Sequence, residues 1–344
     1  MEVELVDTIY CEESVTDHPR TREIFSRFKS ARKISVPRYG AIFNKRDQNF
    51  KLQKRNPALI LARKYNGFVL PVPDGFGLSD HNNFYFSHMY NCIYDCRYCF
   101  LQGLYSSANY VLFVNYEDFS TQIEATIAAH KGKNVAFFSG YDCDSLALEN
   151  ITNFTSFILP LFKKNPTALL ELRTKSIQLK PMIISDVLKN CVIAYSLIPD
   201  AISKHLDIKT PSIDRRIHAM KKLAAKGWKL GLRFDPLIHG EDWRNLYKGL
   251  IDRIFSEIPE DSIHSISFGA LRFPKAMFKK IHSMYPKELL FSGPLLSTGG
   301  LVSYKSDIEN EMISFCRHVI NETIAQPIIF NCSFDPSTKK EIIP

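Results

Sequence analysis

The chain has 344 residues, 45% of them hydrophobic, and a formal net charge of +8 at pH 7. This length and apolar content exclude disordered and fibrous proteins, and they suffice for one large barrel domain or two ordinary domains. Residues 1–19 lack the basic segment and apolar run of a signal peptide, and no later apolar run approaches about 18 residues. We therefore expect a soluble, cytoplasmic protein without membrane contact.

The positive charge is concentrated between Arg20 and Arg55, within a predicted N-terminal basic extension of residues 1–75. This stretch holds twelve Lys or Arg residues against Glu23 and Asp47, a local net charge of +10, so the rest of the chain carries −2. Aromatic residues are interleaved with these charges at Phe25, Phe28, Tyr39, Phe43 and Phe50. Cations and stacking faces together are typical of a surface that follows a phosphate backbone, and they predict DNA as a partner. The alternative is a solvated, partly mobile arm.

Six short runs of β-branched and aromatic residues predict strands in the middle of the chain. They cover residues 83–89, 135–140, 168–175, 192–199, 229–238 and 263–273. Helical spacing between most of them indicates βα repeats, whose right-handed crossovers make the strands parallel. We predict an α/β fold with a partial (β/α)6 barrel of the TIM type over residues 76–285 and a C-terminal extension over residues 286–344. The site then lies at the C-terminal strand ends; a flat, doubly wound sheet is the alternative.

Three of the eight cysteines, Cys92, Cys96 and Cys99, lie together in the stretch SHMYNCIYDCRYCFLQG, directly after the first predicted strand. Disulfides use thiols in pairs and a closed zinc site uses four ligands, so a group of three indicates a site with one open position. The CxxxCxxC spacing lets one loop hold three corners of a cubane iron–sulfur cluster, which leaves one iron free to bind a substrate or cofactor. A structural zinc knot completed by His88 or His81 is the alternative.

With an aromatic residue, Tyr98, before its last cysteine, this loop resembles the signature of the radical S-adenosylmethionine enzymes. Over roughly residues 8 to 290 the chain resembles the spore photoproduct lyase family of DNA repair enzymes. Besides the cysteine loop, the resemblance is carried by IYCEESVTDHPRTREIFSRF, ALILARKYNGFVLPVP and SIDRRIHAMKKLAAKGWKLGLRFDPLI. It implies a radical lyase that cleaves a thymine-derived photolesion in DNA through a 5′-deoxyadenosyl radical.

The resemblance also implies cofactors and partners. Cys92, Cys96 and Cys99 would ligate a four-iron, four-sulfur cluster whose open iron chelates S-adenosylmethionine, and reduction of that cluster would generate the radical. The cofactor would carry out the radical chemistry, while the protein would position the cofactor and exclude competing reactions. An electron donor such as flavodoxin or ferredoxin would supply the electron, and we expect a monomer.

Four further residues match cofactor contacts of the family. Ser139 and Gly140 correspond to a small-residue turn at the end of the second barrel strand, against the methionine moiety. Lys175, which ends the third strand, corresponds to a lysine that pairs with the cofactor carboxylate. Ser196, in the fourth strand, corresponds to a polar contact with the same ligand.

The chain departs from the family at the hydrogen-atom relay. The family uses a cysteine just after the second strand and a tyrosine immediately after the third cluster cysteine. Here Tyr141 stands at the donor position, Cys143 follows two residues later, and Phe100 replaces the relay tyrosine. The candidates for returning the hydrogen atom are therefore Cys143, Tyr141 and Tyr98.

Two other functions are compatible with these residues. The same radical chemistry could act on RNA, a protein or a small molecule, because a shared fold and cluster do not define the substrate pocket. A non-catalytic nucleic-acid-binding protein with a zinc knot and a basic arm is the alternative from a different class.

Overall fold

A computed structural model describes residues 6–324 and 329–331. Its strands are β1 (Thr8–Glu12), β2 (Arg32–Val36), β3 (Leu59–Ala62), β4 (Leu70–Pro71), β5 (Asn82–Phe86), β6 (Met89–Tyr90), β7 (Asp95–Cys96), β8 (Tyr110–Phe113), β9 (Val135–Ser139), β10 (Ala168–Thr174), β11 (Cys191–Ser196), β12 (Asp207–Ile208), β13 (Lys229–Leu237), β14 (Ile263–Ala270), β15 (Arg272–Pro274), β16 (Leu295–Thr298), β17 (Leu301–Tyr304) and β18 (Ile329–Asn331). Its α-helices are α1 (Pro19–Arg27), α2 (Phe50–Gln53), α3 (Leu101–Leu104), α4 (Tyr116–Ala129), α5 (Glu149–Thr152), α6 (Phe154–Lys164), α7 (Lys180–Ile184), α8 (Asp200–Leu206), α9 (Ile213–Lys226), α10 (Trp243–Glu257), α11 (Lys275–Met284) and α12 (Ser306–Thr323).

Eight of these strands form one curled sheet in the order β18-β14-β13-β11-β10-β9-β5-β4. Strands β5, β9, β10, β11, β13 and β14 are the six predicted from sequence, and they are all parallel to one another. Strand β18 extends the sheet in parallel, and β4 closes the other edge antiparallel to β5. The prediction of a partial barrel is confirmed, and the flat, doubly wound alternative is wrong.

Side chains alternate between the two faces of this sheet. The outer face packs under the helices in the main core, where Phe86, Phe137 and Leu172 lie beside helix residues such as Phe154 and Phe162. The inner face holds a smaller cluster, whose members are Leu78, Ala136, Phe138, Leu169 and Val192. Because the six strands are parallel, their C-terminal ends meet along one rim, and the residues that follow each strand collect there.

Helix α9 illustrates why the sequence folds this way locally. Ser212 caps it by accepting a hydrogen bond from the backbone N of Arg215 at 3.4 Å, and Gly227 ends it in the left-handed conformation that favours glycine. Its apolar residues recur at helical spacing, so Ile217 and Met220 are buried on one face. The helix consequently packs against β13 and connects β11 to the rest of the barrel.

The N-terminal basic region is part of a second sheet, in the order β2-β1-β3-β8-β6. Strands β1, β2, β3 and β8 are parallel, while β6 is antiparallel to β8. The arm proposed as an alternative is instead folded, since α1, β2 and α2 all lie within it. Strands β6 and β8 precede and follow the cysteine loop in the chain, so this sheet holds both ends of the loop.

The remaining strands make two small sheets, in which β7 pairs with β12 and β17 lies between β15 and β16. The boundaries at residues 75 and 285 between barrel and extensions stay predictions. Within residues 6–324 and 329–331, no helix combines the length and apolar character needed to cross a bilayer.

Candidate active site

The cysteine loop leaves β5 at the C-terminal rim of the half barrel. Strand β7, within the loop, pairs antiparallel with β12, and the backbone N of Arg97 donates to the carbonyl of Leu206 at 2.9 Å. A turn follows, in which the backbone N of Cys99 donates to the carbonyl of Cys96 at 3.1 Å. These bonds tie the loop to the segment after β11 and fix it across the rim.

The three thiols of Cys92, Cys96 and Cys99 are free and lie within electrostatic range of one another. Burial raises the pKa of all three thiols, to about 12 for Cys92. The positive charges of Lys54 and Lys175 act in the opposite direction and lower these pKa values. Iron binds thiolates, so a cluster would displace the three protons as it bound. Three thiols on one loop with two cations beside them fit an anionic, thiolate-held cluster.

The two histidines proposed for a zinc knot are engaged elsewhere. The ring of His88 is buried and stacks on Phe154, with centroids 4.0 Å apart and planes 4° apart, and burial lowers its pKa to about 3. His81 pairs with Asp80 at 2.7 Å. In the part of the chain that the structure describes, no three His, Cys, Asp or Glu side chains could hold a metal ion together. A cubane places each thiolate on a different iron, so its ligands need not converge on one point.

Lys175 follows β10 and its ammonium reaches the cysteine loop. Its Nζ lies 5.4 Å from the centroid of the Tyr98 ring. Burial lowers its pKa, but the nearby Cys96 and Asp207 outweigh that effect, and the net direction is upward. Lys175 therefore stays charged at the rim, beside two of the three thiols.

Gly140 stands at the end of β9 in a conformation that requires glycine. Its φ is +82°, and a Cβ there would lie 2.5 Å from Oγ of Ser145 and 2.9 Å from the backbone N of Ser145. The chain turns over the rim at this point, close enough to the following loop that no side chain fits. A tight turn is therefore present at this strand end, and its contact with the methionine moiety of the cofactor stays a prediction.

The side chains of Ser139 and Ser196 lie on opposite faces of the barrel sheet. Ser139 is aligned with Phe86 and Leu172, both in the main core, so its side chain lies on the outer face. Its buried hydroxyl has no hydrogen-bond partner within the described residues. Ser196 continues the inner-face alternation from Val192, and its carbonyl accepts a hydrogen bond from Arg216 at 3.1 Å. Of the two, Ser196 presents its side chain toward the barrel interior.

Tyr98 is held by a buried charge network. Its hydroxyl donates to Asp207, whose other carboxylate oxygen accepts from Arg216 at 2.7 Å. The side chains of Asp207 and Arg216 are both fully buried. Through Arg216 the network continues to the carbonyl of Ser196, so one chain of bonds connects the cysteine loop to β11.

Two of the relay candidates, Tyr141 and Cys143, lie on the loop after β9, whereas the third, Tyr98, lies in the cysteine loop. The ring of Tyr141 stacks on Tyr85 with centroids 4.2 Å apart, and it lies 5.9 Å from the ring of Phe100. The two positions at which this chain departs from the family are therefore neighbours. Cys143 is buried, and burial is the main cause of the raised pKa of its thiol. The nearby Cys92 raises the pKa of the Cys143 thiol further. The structure brings Cys143 toward the cysteine loop and Tyr141 toward the inner face.

Three important residues were not identified from the sequence. Asp144 accepts hydrogen bonds from Thr174 Oγ1 and from the backbone N of Lys175, both at 2.6 Å, and thereby joins the β9 and β10 rims. Asp207 and Arg216 form the network beneath Tyr98. An acidic residue just after a barrel strand, as in YDCDS, was the available signal for Asp144. Asp207 and Arg216 meet only through the packing of separate elements.

Comparison with known proteins supports the same architecture. A sequence model described as spore photoproduct lyase matches residues 80–292. Spore photoproduct lyase from Bacillus subtilis is 25% identical over 202 residues, covering 58% of this chain and 59% of that protein. The protein of the same description from Clostridium acetobutylicum is 20% identical over 284 residues, covering 81% and 82%. The chain thus spans less than two thirds of the Bacillus protein and about four fifths of the Clostridium protein.

Solved structures share the fold. A spore photoproduct lyase mutant with bound AdoMet and dinucleoside spore photoproduct superposes with a TM-score of 0.83 at 18% identity, over 96% of this chain and 99% of that one. A spore photoproduct lyase complexed with dinucleoside spore photoproduct gives a TM-score of 0.82 at 17% identity, over 95% and 98%.

A curled half barrel with a CxxxCxxC loop across its C-terminal rim defines the class of radical S-adenosylmethionine proteins. Within that class, the match over residues 80–292 covers more than half of the chain. The chain belongs to the spore photoproduct lyase family.

Proposed function

We propose that this protein is a radical S-adenosylmethionine lyase that cleaves a thymine-derived photolesion in DNA. The observation that carries the proposal is the meeting of three free thiols, the charged Lys175 and the Gly140 turn at one rim. Family membership supports the choice of reaction. When bound there, an iron–sulfur cluster and S-adenosylmethionine supply a 5′-deoxyadenosyl radical.

The chain's own residues place these groups and exclude water. Cys92, Cys96 and Cys99 would hold the cluster. Lys175 would pair with the carboxylate of S-adenosylmethionine, because its ammonium is held beside the cysteine loop and stays charged. Gly140 lets the chain turn tightly against Ser145 at this rim, since no Cβ projects from it.

We propose Cys143 as the residue that returns a hydrogen atom to the substrate. A thiol releases a hydrogen atom more readily than a phenol, and Cys143 lies near the cluster ligand Cys92. Tyr141 is the second candidate because its ring lies between Tyr85 and Phe100, on the loop that follows β9. The lesion would reach these residues only after leaving the base stack, as in other enzymes that act on a base.

The test uses protein reconstituted with iron and sulfide without oxygen and reduced with dithionite. It receives S-adenosylmethionine and synthetic dinucleoside spore photoproduct, and thymine-containing product and 5′-deoxyadenosine are followed by chromatography. We expect both products from wild type and neither from Cys96→Ala, which lacks one cluster ligand. We expect Cys143→Ala to form 5′-deoxyadenosine while its product radical is diverted to adducts.

Three results would change the proposal. Formation of 5′-deoxyadenosine without lesion cleavage by wild type would indicate a radical enzyme with another substrate, such as RNA, a protein or a small molecule. A colourless protein that retains zinc would indicate the binding protein instead. Normal repair by Cys143→Ala would transfer the donor role to Tyr141.

A further inference from the structure

Lys54 is a buried cation beneath the cysteine loop, contributed by the N-terminal basic region. Lys54 is only 6% exposed, whereas Lys45, Lys51 and Arg55 in the same region are exposed. Its Nζ donates to the carbonyl of Cys92 at 2.6 Å and to the carbonyl of Tyr94 at 3.0 Å. One ammonium therefore bridges two carbonyls at the start of the CxxxC segment.

The backbone around Lys54 is anchored on both sides. Oε1 of Gln53 accepts from the backbone N of Ala108 at 2.9 Å and from Oγ of Ser107 at 3.1 Å. The carbonyl of Lys54 accepts from Nζ of Lys209 at 3.4 Å. Helix α2 is thereby fastened to the chain that leaves the cysteine loop and to the segment after β12, so the Lys54 ammonium has a defined position.

Burying an ammonium costs free energy that its partners must offset. Both hydrogen-bond partners of Lys54 are backbone carbonyls, which carry only partial charges. Asp95 and Lys209 also lie within electrostatic range of Lys54, with opposite effects, and the Lys54 ammonium acts on the thiols of Cys92 and Cys99. Reduction adds one electron to a cluster already bound by thiolates, and a fixed cation close to it favours that reduced state.

We infer that Lys54 is a positioning residue for the cluster. Its ammonium holds the loop that carries Cys92, and its charge raises the reduction potential of the bound cluster. The inference rests on the proposed function, because it requires that a cluster binds at these cysteines. The inference gives Lys54 a different role from the exposed basic residues of the same region, whose expected partner is DNA.

The test compares the reconstituted full-length wild type with Lys54→Met, Lys54→Gln and Lys54→Arg. Iron per chain is measured chemically, and the midpoint potential is measured by redox titration followed by electron paramagnetic resonance. Lys189→Met is the matched control, since Lys189 is an exposed lysine at the opposite, N-terminal end of β11. The readouts do not depend on turnover.

We expect Lys54→Gln, which keeps a donor but loses the charge, to bind iron and to have a midpoint potential lower by at least 59 mV, a tenfold change in the one-electron reduction equilibrium. Lys54→Met should show the same fall and also bind less iron, because it can no longer hold the loop carbonyls. Lys54→Arg, which keeps charge and donors, should recover most of the potential, and Lys189→Met should match wild type.

The inference fails if Lys54→Gln and Lys54→Met both keep the wild-type iron content and potential. It also fails if Lys54→Arg behaves like Lys54→Met, since charge would then have no separate effect. If Lys54→Met does not fold, Lys54→Gln and Lys54→Arg still decide the question. A wild-type protein without iron would instead reject the proposed function itself.

Discussion

Gly140 is the residue at which backbone conformation constrains the site most directly. It follows the outer-face Ser139 and precedes the stacked Tyr141, so its turn sends the chain from the sheet into the relay loop. The positive φ and the contact with Ser145 act together there. Alanine would meet both a conformational cost and a collision.

We predict that Gly140→Ala destabilises the fold and weakens S-adenosylmethionine binding. A left-handed conformation costs a residue with a Cβ about 1–2 kcal/mol, and displacement of Ser145 adds to that. Gly132→Ala is the matched control, because Gly132 has φ +80° but a Cβ added there would have no other atom within 4 Å. Urea unfolding and calorimetric binding are the measurements. Equal losses of stability in the two variants would contradict a close approach at Gly140.

Much of the residue-level site could be predicted from the sequence. The cysteines, Lys175 and Gly140 each lie close to a strand end, where the cysteine motif, the strand pattern and the family resemblance together indicated them; their roles stay predictions. Lys54 and Arg216 could not be predicted, since Lys54 is 38 residues from its partner Cys92. A lysine in a basic stretch is expected to be a solvated charge until the packing that buries it is known.

At the scale of elements, the short pairing of β7 with β12 decides where the cysteine loop lies. Two residues on each strand are paired, which provides few backbone bonds. The hydroxyl of Tyr98 reinforces the pairing through Asp207, which follows helix α8. Tyr98 was a relay candidate from sequence, and this hydrogen bond supports an anchoring role for its hydroxyl.

We predict that Tyr98→Phe lowers the free energy of unfolding by about 1–3 kcal/mol, because a buried carboxylate loses one of its donors. Formation of 5′-deoxyadenosine should persist, since the ring beside Lys175 remains. Tyr195→Phe is the control: that buried hydroxyl has no partner among the described residues, so its removal breaks no hydrogen bond and should not lower the free energy of unfolding. Loss of lesion cleavage in Tyr98→Phe, with 5′-deoxyadenosine formation and stability both retained, would restore the relay role.

Strand positions were predictable at this scale, and the second sheet was not. The six barrel strands have continuous apolar or aromatic runs, so their pattern is visible. Strands β6 and β7 have two residues each, too short to show a period, and they exist because tertiary pairing supplies their bonds. The union of β1–β3 with β6 and β8 therefore required the structure.

Across the whole molecule, the basic region is a folded surface with a mixture of roles. Arg20 pairs with Glu117 at 2.7 Å, and Lys54 is buried under the cysteine loop. Ten basic residues of the region are exposed, among them the four residues Lys29, Lys45, Arg46 and Arg55. If the region contacts DNA, these exposed residues are the best placed to meet phosphates.

We predict that replacing these four exposed residues with Gln weakens DNA binding for all sequences alike. The slope of log K against log salt should fall by about 0.9 for each phosphate that the protein no longer neutralises. A matched variant removes four exposed lysines elsewhere: Lys131, Lys164, Lys189 and Lys222. Fluorescence anisotropy at several salt concentrations distinguishes the two. An equal effect of both variants would show that net charge alone, rather than this surface, governs binding.

The shared N-terminal sheet also has a consequence for aggregation. Strand β8 lies between β3 and β6, and its residues Val111 and Leu112 are completely buried there. A chain that began at residue 76 would keep β8 but lose β3, leaving a row of unpaired backbone N–H and C=O groups on an apolar strand. Such an open edge is a template for pairing with another copy. In the folded chain, β3 covers this edge of β8 and satisfies its backbone groups.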